Sequence, residues 1–232
     1  VASANCALYC GAEVDFVDVD LETGNLCVAK LAEKLVKASK IGKLPKVVIP
    51  VHLGGKSCNM AEIFKLSQRY GFRIIEDASH AIGGRYRDAL IGGCKYSDIT
   101  IFSFHPVKII TTAEGGICLT KNPALFDRLK LLRSHGITRD IKQMINPEHD
   151  APWYYEQIML GYNYRMTDLQ AALGVSQMKR VKYFVSRRNE IADVYDLLLK
   201  NLPLRVPSRC DEVYSAYHLY PIQLQIDKIG KT

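Results

Sequence analysis

Lys46–Asp77 reads KVVIPVHLGGKSCNMAEIFKLSQRYGFRIIED. A short apolar strand, Lys46–Val51, runs into the turn-prone His52-Leu-Gly-Gly55. Asn59 is placed to cap a helix over Met60–Tyr70, and Gly71 to end it. Phe72–Ile75 is then a second buried strand, stopped by Glu76-Asp77. A strand, a helix of three turns and another strand make a βαβ unit, which calls for a parallel sheet covered on both faces.

The same alternation extends in both directions. Val14–Val19 reads as a strand. Val28–Lys40 has Leu31, Leu35 and Val36 at helical spacing. Ile99–Phe104 and Gly116–Thr120 are further strands, and Phe126–His135 is a helix. Ile141–Met159 is a polar, irregular stretch with Pro147, Pro152 and the only tryptophan, Trp153. Loops of this length are usually functional or contact a partner. Thr167 is placed to cap a helix through Val175, and a long helical pattern covers Arg180–Lys200. Pro203 and Pro207 break the chain, and Tyr214–Ile226 alternates like a strand of a second, smaller domain. The expected boundary lies near 200–210. In such α/β sheets ligands sit beyond the carboxyl ends of the strands. That rule selects His52–Gly55, Asp77–His80 and Ser103–Lys108.

Composition narrows the class. The chain has 232 residues, 48% hydrophobic and 24% charged, which excludes disordered, collagen-like and coiled-coil chains. The longest stretch without a charged residue, Val213–Ile226, is too short for a membrane helix, which needs about 20 apolar residues. The 31 basic and 24 acidic residues leave +7, which favours an anionic ligand. Seven cysteines, with no CxxC pair, indicate neither a zinc site nor a disulfide framework. Most lie beside apolar residues, as buried thiols do in a reducing cytoplasm. No metal site and no signal peptide are expected. The chain opens on Val1 and closes without completing an element, so it reads as an internal piece of a longer protein.

Three segments carry chemistry. In Phe102-Ser-Phe-His-Pro-Val-Lys108, a lysine follows an apolar strand with no other cation near it. Desolvation there lowers the amine's pKa, and a neutral amine attacks carbonyls. Taken alone, such a lysine also fits a side chain reaching for solvent. In Ile74-Ile-Glu-Asp77-Ala-Ser-His80, an acid after two isoleucines is costly unless paired with a cation, and a protonated ring nitrogen is one such cation. His80 lies three residues on. Taken alone, Asp77 also fits a helix cap. In Leu160-Gly-Tyr-Asn163-Tyr-Arg165-Met-Thr-Asp168, Asn163 and Arg165 precede a capped helix and either hold an anion or shape its entry. His52 with Gly54-Gly55 is a candidate lining for the mouth of the site. Glu114-Gly-Gly116 shapes a tight turn. Tyr154, Tyr155, Tyr162 and Tyr164 form an aromatic group suited to an interface or the core.

With Ala2-Ser-Ala-Asn5, Asp18-Val-Asp20 and Ser215-Ala-Tyr-His-Leu-Tyr220, these segments resemble the sugar aminotransferases of the DegT/DnrJ/EryC1/StrS group across essentially the whole chain. That resemblance implies an α/β fold. It would be the large domain of a type I, aspartate-aminotransferase-like, pyridoxal-phosphate transferase with a mainly parallel sheet over 1–205. A smaller α+β C-terminal domain would begin over 206–232. It implies pyridoxal 5′-phosphate as cofactor, with Lys108 as the Schiff-base lysine and Asp77 paired to the pyridine nitrogen. His80 would approach the cofactor's 3-oxygen and Ser103 would hold its phosphate. Asn163 would reach the phosphate of the neighbouring subunit, which makes a homodimer with shared active sites. His105, Arg165 and His135 are candidate substrate contacts. The family's ring-stacking aromatic and its main phosphate-binding segment would lie before Val1, so this stretch by itself is expected to bind the cofactor poorly.

Arg133-Ser-His-Gly-Ile-Thr138 and Pro152-Trp-Tyr-Tyr-Glu-Gln157 resemble one branch of the group. It aminates C4 of a UDP-linked 4-keto-6-deoxy-N-acetylhexosamine in pseudaminic acid synthesis, with L-glutamate as donor, in the cytoplasm. Alternatives are a dTDP-sugar aminotransferase acting at C3 or C4, or a non-catalytic nucleotide-binding domain. Related sugar dehydratases replace the lysine with histidine, which Lys108 argues against. The sequence shows no glycine-rich nucleotide motif and no nucleic-acid recognition motif.

Overall fold

The structure, a computed structural model, describes residues 1–146, 148 and 151–230. Helix α1 (Ala2–Tyr9) buries none of its residues, whereas α2 (Val28–Lys40) buries Leu31 and Leu35, four apart on one face. Strand β1 (Val47–Val48) leads through the loop after Val51 into α3 (Met60–Tyr70). The Asn59 side chain accepts from the Glu62 amide at the start of α3, and Gly71 ends it in a left-handed conformation, φ 77°. Strand β2 (Arg73–Asp77) then pairs in parallel with β1. The βαβ unit read from Lys46–Asp77 is therefore present.

A small antiparallel pair, β3 (Arg85–Tyr86) and β4 (Ala89–Leu90), separates β2 from β5 (Ile99–Ser103). β5 is parallel to β2, with Asp77 opposite Ile101. β6 (Gly116–Leu119) returns antiparallel along β5. The central sheet has the order β1-β2-β5-β6 and is mainly parallel. Helix α4 (Pro123–Arg133) follows, capped by the Asn122 side chain. β7 (Ile137–Thr138) pairs with β8 (Glu156–Gln157). α5 (Asp168–Met178) opens on a capping box between Thr167 and Gln170, and α6 (Val181–Leu199) buries Val185 and Ala192. β9 (Leu204–Arg205) pairs with β11 (Gln223–Leu224), β10 (Val213–Tyr214) joins the edge of β3, and α7 (Ile226–Ile229) follows β11.

Two apolar clusters hold the sheet. One joins Leu31, Leu35, Met60, Ile63, Phe72 and Ile74. The other joins Ile82, Phe102, Phe104, Ile110, Val185 and Ala216. Each fully buried aliphatic side chain contributes about 1.5–3 kcal/mol relative to exposure.

Several readings need correction. Val14–Val19 is not a strand; it makes a single bridge, Val19 to Leu26. The Asp15 and Asp18 carboxylates accept from the amides of Phe16 and Val19, so those donors are turned back locally. Glu76 and Asp77 do not stop β2, because both find polar partners within the fold. Tyr214–Ile226 is not one strand. Tyr217 has φ 43° and Pro221 interrupts, leaving only the short β10 and β11. Only Cys58 and Cys94 are buried; Cys6, Cys10, Cys118 and Cys210 are exposed. Cys6 lies on α1, whose residues nothing buries. In the stretch 141–159, Pro147 lies outside the described residues.

Candidate active site

β1, β2 and β5 are neighbouring parallel strands, so their carboxyl ends open on one edge of the sheet. His52–Gly55, Asp77–His80 and Ser103–Lys108 all follow those ends, as the sheet rule requires. Side chains alternate along a strand, so Glu76 and Asp77 face opposite sides. Ser103 lies two residues past Ile101, the partner of Asp77, and therefore shares Asp77's face.

The Asp77 carboxylate is half-buried and well provided with donors. Ser3 Oγ, on α1, donates to Oδ2 at 2.7 Å, and the Ser79 amide to Oδ1 at 3.1 Å. Burial opposes its ionisation. The bonds from Ser79 and Ser3, with the charge of His80, outweigh burial and hold the carboxyl below its usual range. Lys108 lies nearby in the turn after β5, its backbone amide bonded to His105 O at 2.9 Å. Among the described residues nothing hydrogen-bonds its Nζ. Burial lowers its pKa, and only the Asp77 charge works against that. Lys108 is thus a half-buried amine with a weakened hold on its proton. The turn is tight: Phe104 N bonds to Gly115 O at 2.8 Å, and a Cβ at Gly115 would collide with Thr112 Oγ1.

His80 feels both charges. Burial and Lys108 lower its pKa, against Asp77. His218, from the segment after β10, packs on it with ring centroids 4.5 Å apart. The structure therefore brings together Asp77, His80 and Lys108 from the sequence reading, with Ser103 on the same face. It adds Ser3 and His218. Both lie in segments that carried the family resemblance, but neither has a local pattern that marks a role.

The side chains of the other candidates make no hydrogen bond or ion pair with those of this group among the described residues. His105 is exposed and sits 3.9 Å from Glu114. Asn163 is exposed and bridges to Ser134, and Arg165 is exposed at the entry to α5. His135 takes φ 60°, its amide bonded to Tyr162 O. Tyr162 and Tyr164 stack at 4.8 Å, while Tyr154 meets Trp153 edge-on. His52 does not line the mouth. It is 0% exposed, with Nε2 2.9 Å from Glu76 Oε2 and Nδ1 accepting from the Cys58 amide. Burial disfavours its charged form, yet the contacts with Cys58 and Glu76 raise its pKa. No group of His, Cys, Asp and Glu among the described residues is arranged to hold a metal ion.

The profile of the DegT/DnrJ/EryC1/StrS aminotransferase family matches residues 1–231. The chain belongs to this family. Within it, the chain is 41% identical over 225 residues to the UDP-4-amino-4,6-dideoxy-N-acetyl-beta-L-altrosamine transaminase of Campylobacter jejuni serotype O:2. That match covers 96% of this chain and 55% of the relative. Helicobacter pylori PseC, described as an aminotransferase involved in the biosynthesis of pseudoaminic acid, superposes with TM-score 0.83 at 32% identity, covering 95% of this chain and 55% of that one. The PLP form of the putative sugar aminotransferase Spr1654 from Streptococcus pneumoniae superposes with TM-score 0.80 at 26% identity, covering 97% and 58%. The chain spans a little over half the length of the DegT-family relatives it matches. Among the described residues no helix is long and apolar enough to cross a membrane.

Proposed function

We propose that the protein is a pyridoxal-phosphate-dependent nucleotide-sugar aminotransferase. It moves an amino group from L-glutamate to C4 of a UDP-linked 4-keto-6-deoxy-N-acetylhexosamine, a precursor in pseudaminic acid synthesis. The observation that carries this reading is the unpaired Lys108 amine beside the ionised Asp77 at the carboxyl ends of β2 and β5. The name of the Campylobacter relative supports the sugar and the carbon.

The residues present fit the cofactor. When bound, it supplies an aldehyde carbon for an amine and a ring that accepts electrons. Lys108 offers that amine, and burial favours the neutral, nucleophilic form. With its proton weakly held, the same Nζ would also be able to take the proton from the donor's Cα and give it back. Asp77, kept ionised by Ser79 and Ser3, holds a ring nitrogen in its protonated state. His80 would donate to the ring oxygen, and Ser103, on the face of Asp77, would hold the phosphate. Asn163, exposed, reaches the cofactor phosphate of a second copy in a homodimer, and His105, Arg165 and His135 contact the sugar nucleotide. Residues 1–205 form the cofactor domain, and 206–232 begin a smaller one. The proposed compartment is the cytoplasm.

The test uses the full-length protein with glutamate and purified UDP- and dTDP-keto sugars. Amination of the UDP sugar at C4 is expected. Product only from a dTDP sugar overturns the substrate, and normal turnover by Lys108→Arg overturns the chemistry.

A further inference from the structure

His218 has no part in the chemistry above, yet the chain fixes it closely. The turn that presents it is strained. Tyr217 has φ 43°, a left-handed conformation that an L side chain rarely adopts. The turn is held from two sides. From α6, Arg188 Nη1 donates to Tyr217 O at 3.0 Å and to His218 O at 3.3 Å. From the loop after β1, Gly55 O accepts from Ala216 N at 3.0 Å and Gly54 O from Leu219 N at 3.2 Å. Gly55 itself has φ 102°, and a Cβ there would lie 2.8 Å from both His80 O and Tyr217 N. Only glycine lets these three backbones meet.

What the meeting produces is a pair of rings. His80 and His218 pack with centroids 4.5 Å apart and planes at 39°. The Gly54 amide donates to His80 Nδ1 at 3.3 Å, so that nitrogen is unprotonated and the neutral ring carries its proton on Nε2. Burial, then the charges of His80, Lys108 and Arg188, push His218 down to about 4. Burial and Lys108, against Asp77, lower His80 as well. Both rings are neutral near pH 7. His218 Nδ1 is buried with no partner among the described residues.

We propose that His218 is a positioning residue: packed on His80, it acts with the Gly54 amide to hold His80 in one orientation and one tautomer. The Nε2–H is then the donor offered to a group bound beside Asp77 and Lys108. This rests on the reading of that site given above.

The test is a nitrogen NMR titration of the full-length, cofactor-free protein labelled at histidine. Expected is a single His80 tautomer, protonated at Nε2 and not at Nδ1. In His218→Ala the two tautomers mix, and His80 titrates closer to an ordinary histidine. In His218→Phe, which keeps a ring against His80, the single tautomer returns. In the loaded enzyme, His218→Ala lowers kcat about tenfold, as small misplacements of a donor do, with KM little changed, and His218→Phe recovers most of it. The proposal is overturned if His80 in His218→Ala keeps its tautomer and titration, or if the unaltered protein carries the proton on Nδ1. The spectrum needs neither cofactor nor turnover. A failure of Lys108 to take pyridoxal phosphate would therefore overturn the proposed function and leave this readout standing.

Discussion

Glu76→Ala removes the acceptor at the centre of a buried polar network. Glu76 is 5% exposed and His52 0%. The carboxylate meets His52 Nε2 at 2.9 Å, accepts from Thr100 Oγ1 at 3.1 Å, and also accepts from Ser97 Oγ. Removing the acceptor leaves the buried His52 Nε2–H unsatisfied, which costs about 1–3 kcal/mol and more where the lost partner is charged. Ser97 and Thr100 also bond each other, at 3.2 Å, and Thr100 has Cys94 at 3.4 Å, so the hydroxyls keep partners. Because the lost partner is a charged carboxylate, the expected loss is about 3 kcal/mol. His52→Ala leaves the buried carboxylate with two hydroxyl donors and costs about the same. The double variant carries neither group, so its loss should fall short of the sum of the singles by at least about 1.5 kcal/mol. Urea unfolding of the three variants measures this. The sign of the pH dependence is fixed too. Burial raises the Glu76 pKa, but the bond to His52 and its charge, with Ser97 and Thr100, bring the net value below 4.5. Its stabilisation is complete above the ordinary carboxyl value and fades as pH falls through the folded one. Glu76→Ala should lose that acid dependence. Losses that add within about 0.5 kcal/mol would refute the coupling.

Reduction of the full-length protein with borohydride after incubation with pyridoxal phosphate should attach a pyridoxyl group at Lys108, found by peptide mapping. A label on a different lysine refutes the assignment. Ser3→Ala removes a 2.7 Å bond to the Asp77 carboxylate, worth about 1.5–3 kcal/mol for a charged acceptor. The acid limb of the full-length enzyme's pH–rate profile should therefore move to higher pH, and an unmoved limb shows that Ser3 does not tune Asp77. His218 falls from 6.5 to about 4 on folding, so the unfolded chain binds its proton more readily. Stability should be full above pH 6.5 and decline as pH falls toward 4. After halving for partial exposure the loss is about 1.5 kcal/mol. His218→Phe should remove this decline, measured by unfolding across that range.

The parallel sheet was legible because each element carries its own local signal. Asn59 and Gly71 bound α3 by cap chemistry, and Thr167 opens α5, so those limits follow from neighbouring residues alone. The places where the reading failed are those where tertiary partners override local character. Glu76 and Asp77 look like a strand's end, but His52 and Ser3, distant in sequence, satisfy them within it. Val14–Val19 looks like a strand, but two aspartates take the amides a neighbour would need. Lys108, Asp77 and His80 stood out in the sequence because a lysine and an acid at strand ends are costly without partners, and the structure brings the three together. Ser3 and His218 were not. A serine in a helix and a histidine in a short turn are ordinary until the fold carries them to Asp77 and His80.

Strand β2 shows how the two polar systems stay independent. Two adjacent acids in a buried strand would raise each other's pKa if they shared a face. The pleat turns Glu76 and Asp77 apart, so each answers to a different set of partners. Glu76 is closed off by His52, Ser97 and Thr100, all within the fold. Asp77 is held in place by Ser3 and Ser79, while the cation beside it, Lys108, has no hydrogen-bond partner among the described residues. His52 joins the two systems through the backbone, its amide donating to Asp77 O at 3.0 Å. The loop after β1, which carries the Gly54 donor to His80, is thereby fixed to the end of β2. On the function proposed above, the amine must let go of one partner and take another, which calls for a free amine in rigid surroundings. Satisfying Glu76 completely supplies the rigidity, and leaving Lys108 unpaired supplies the freedom.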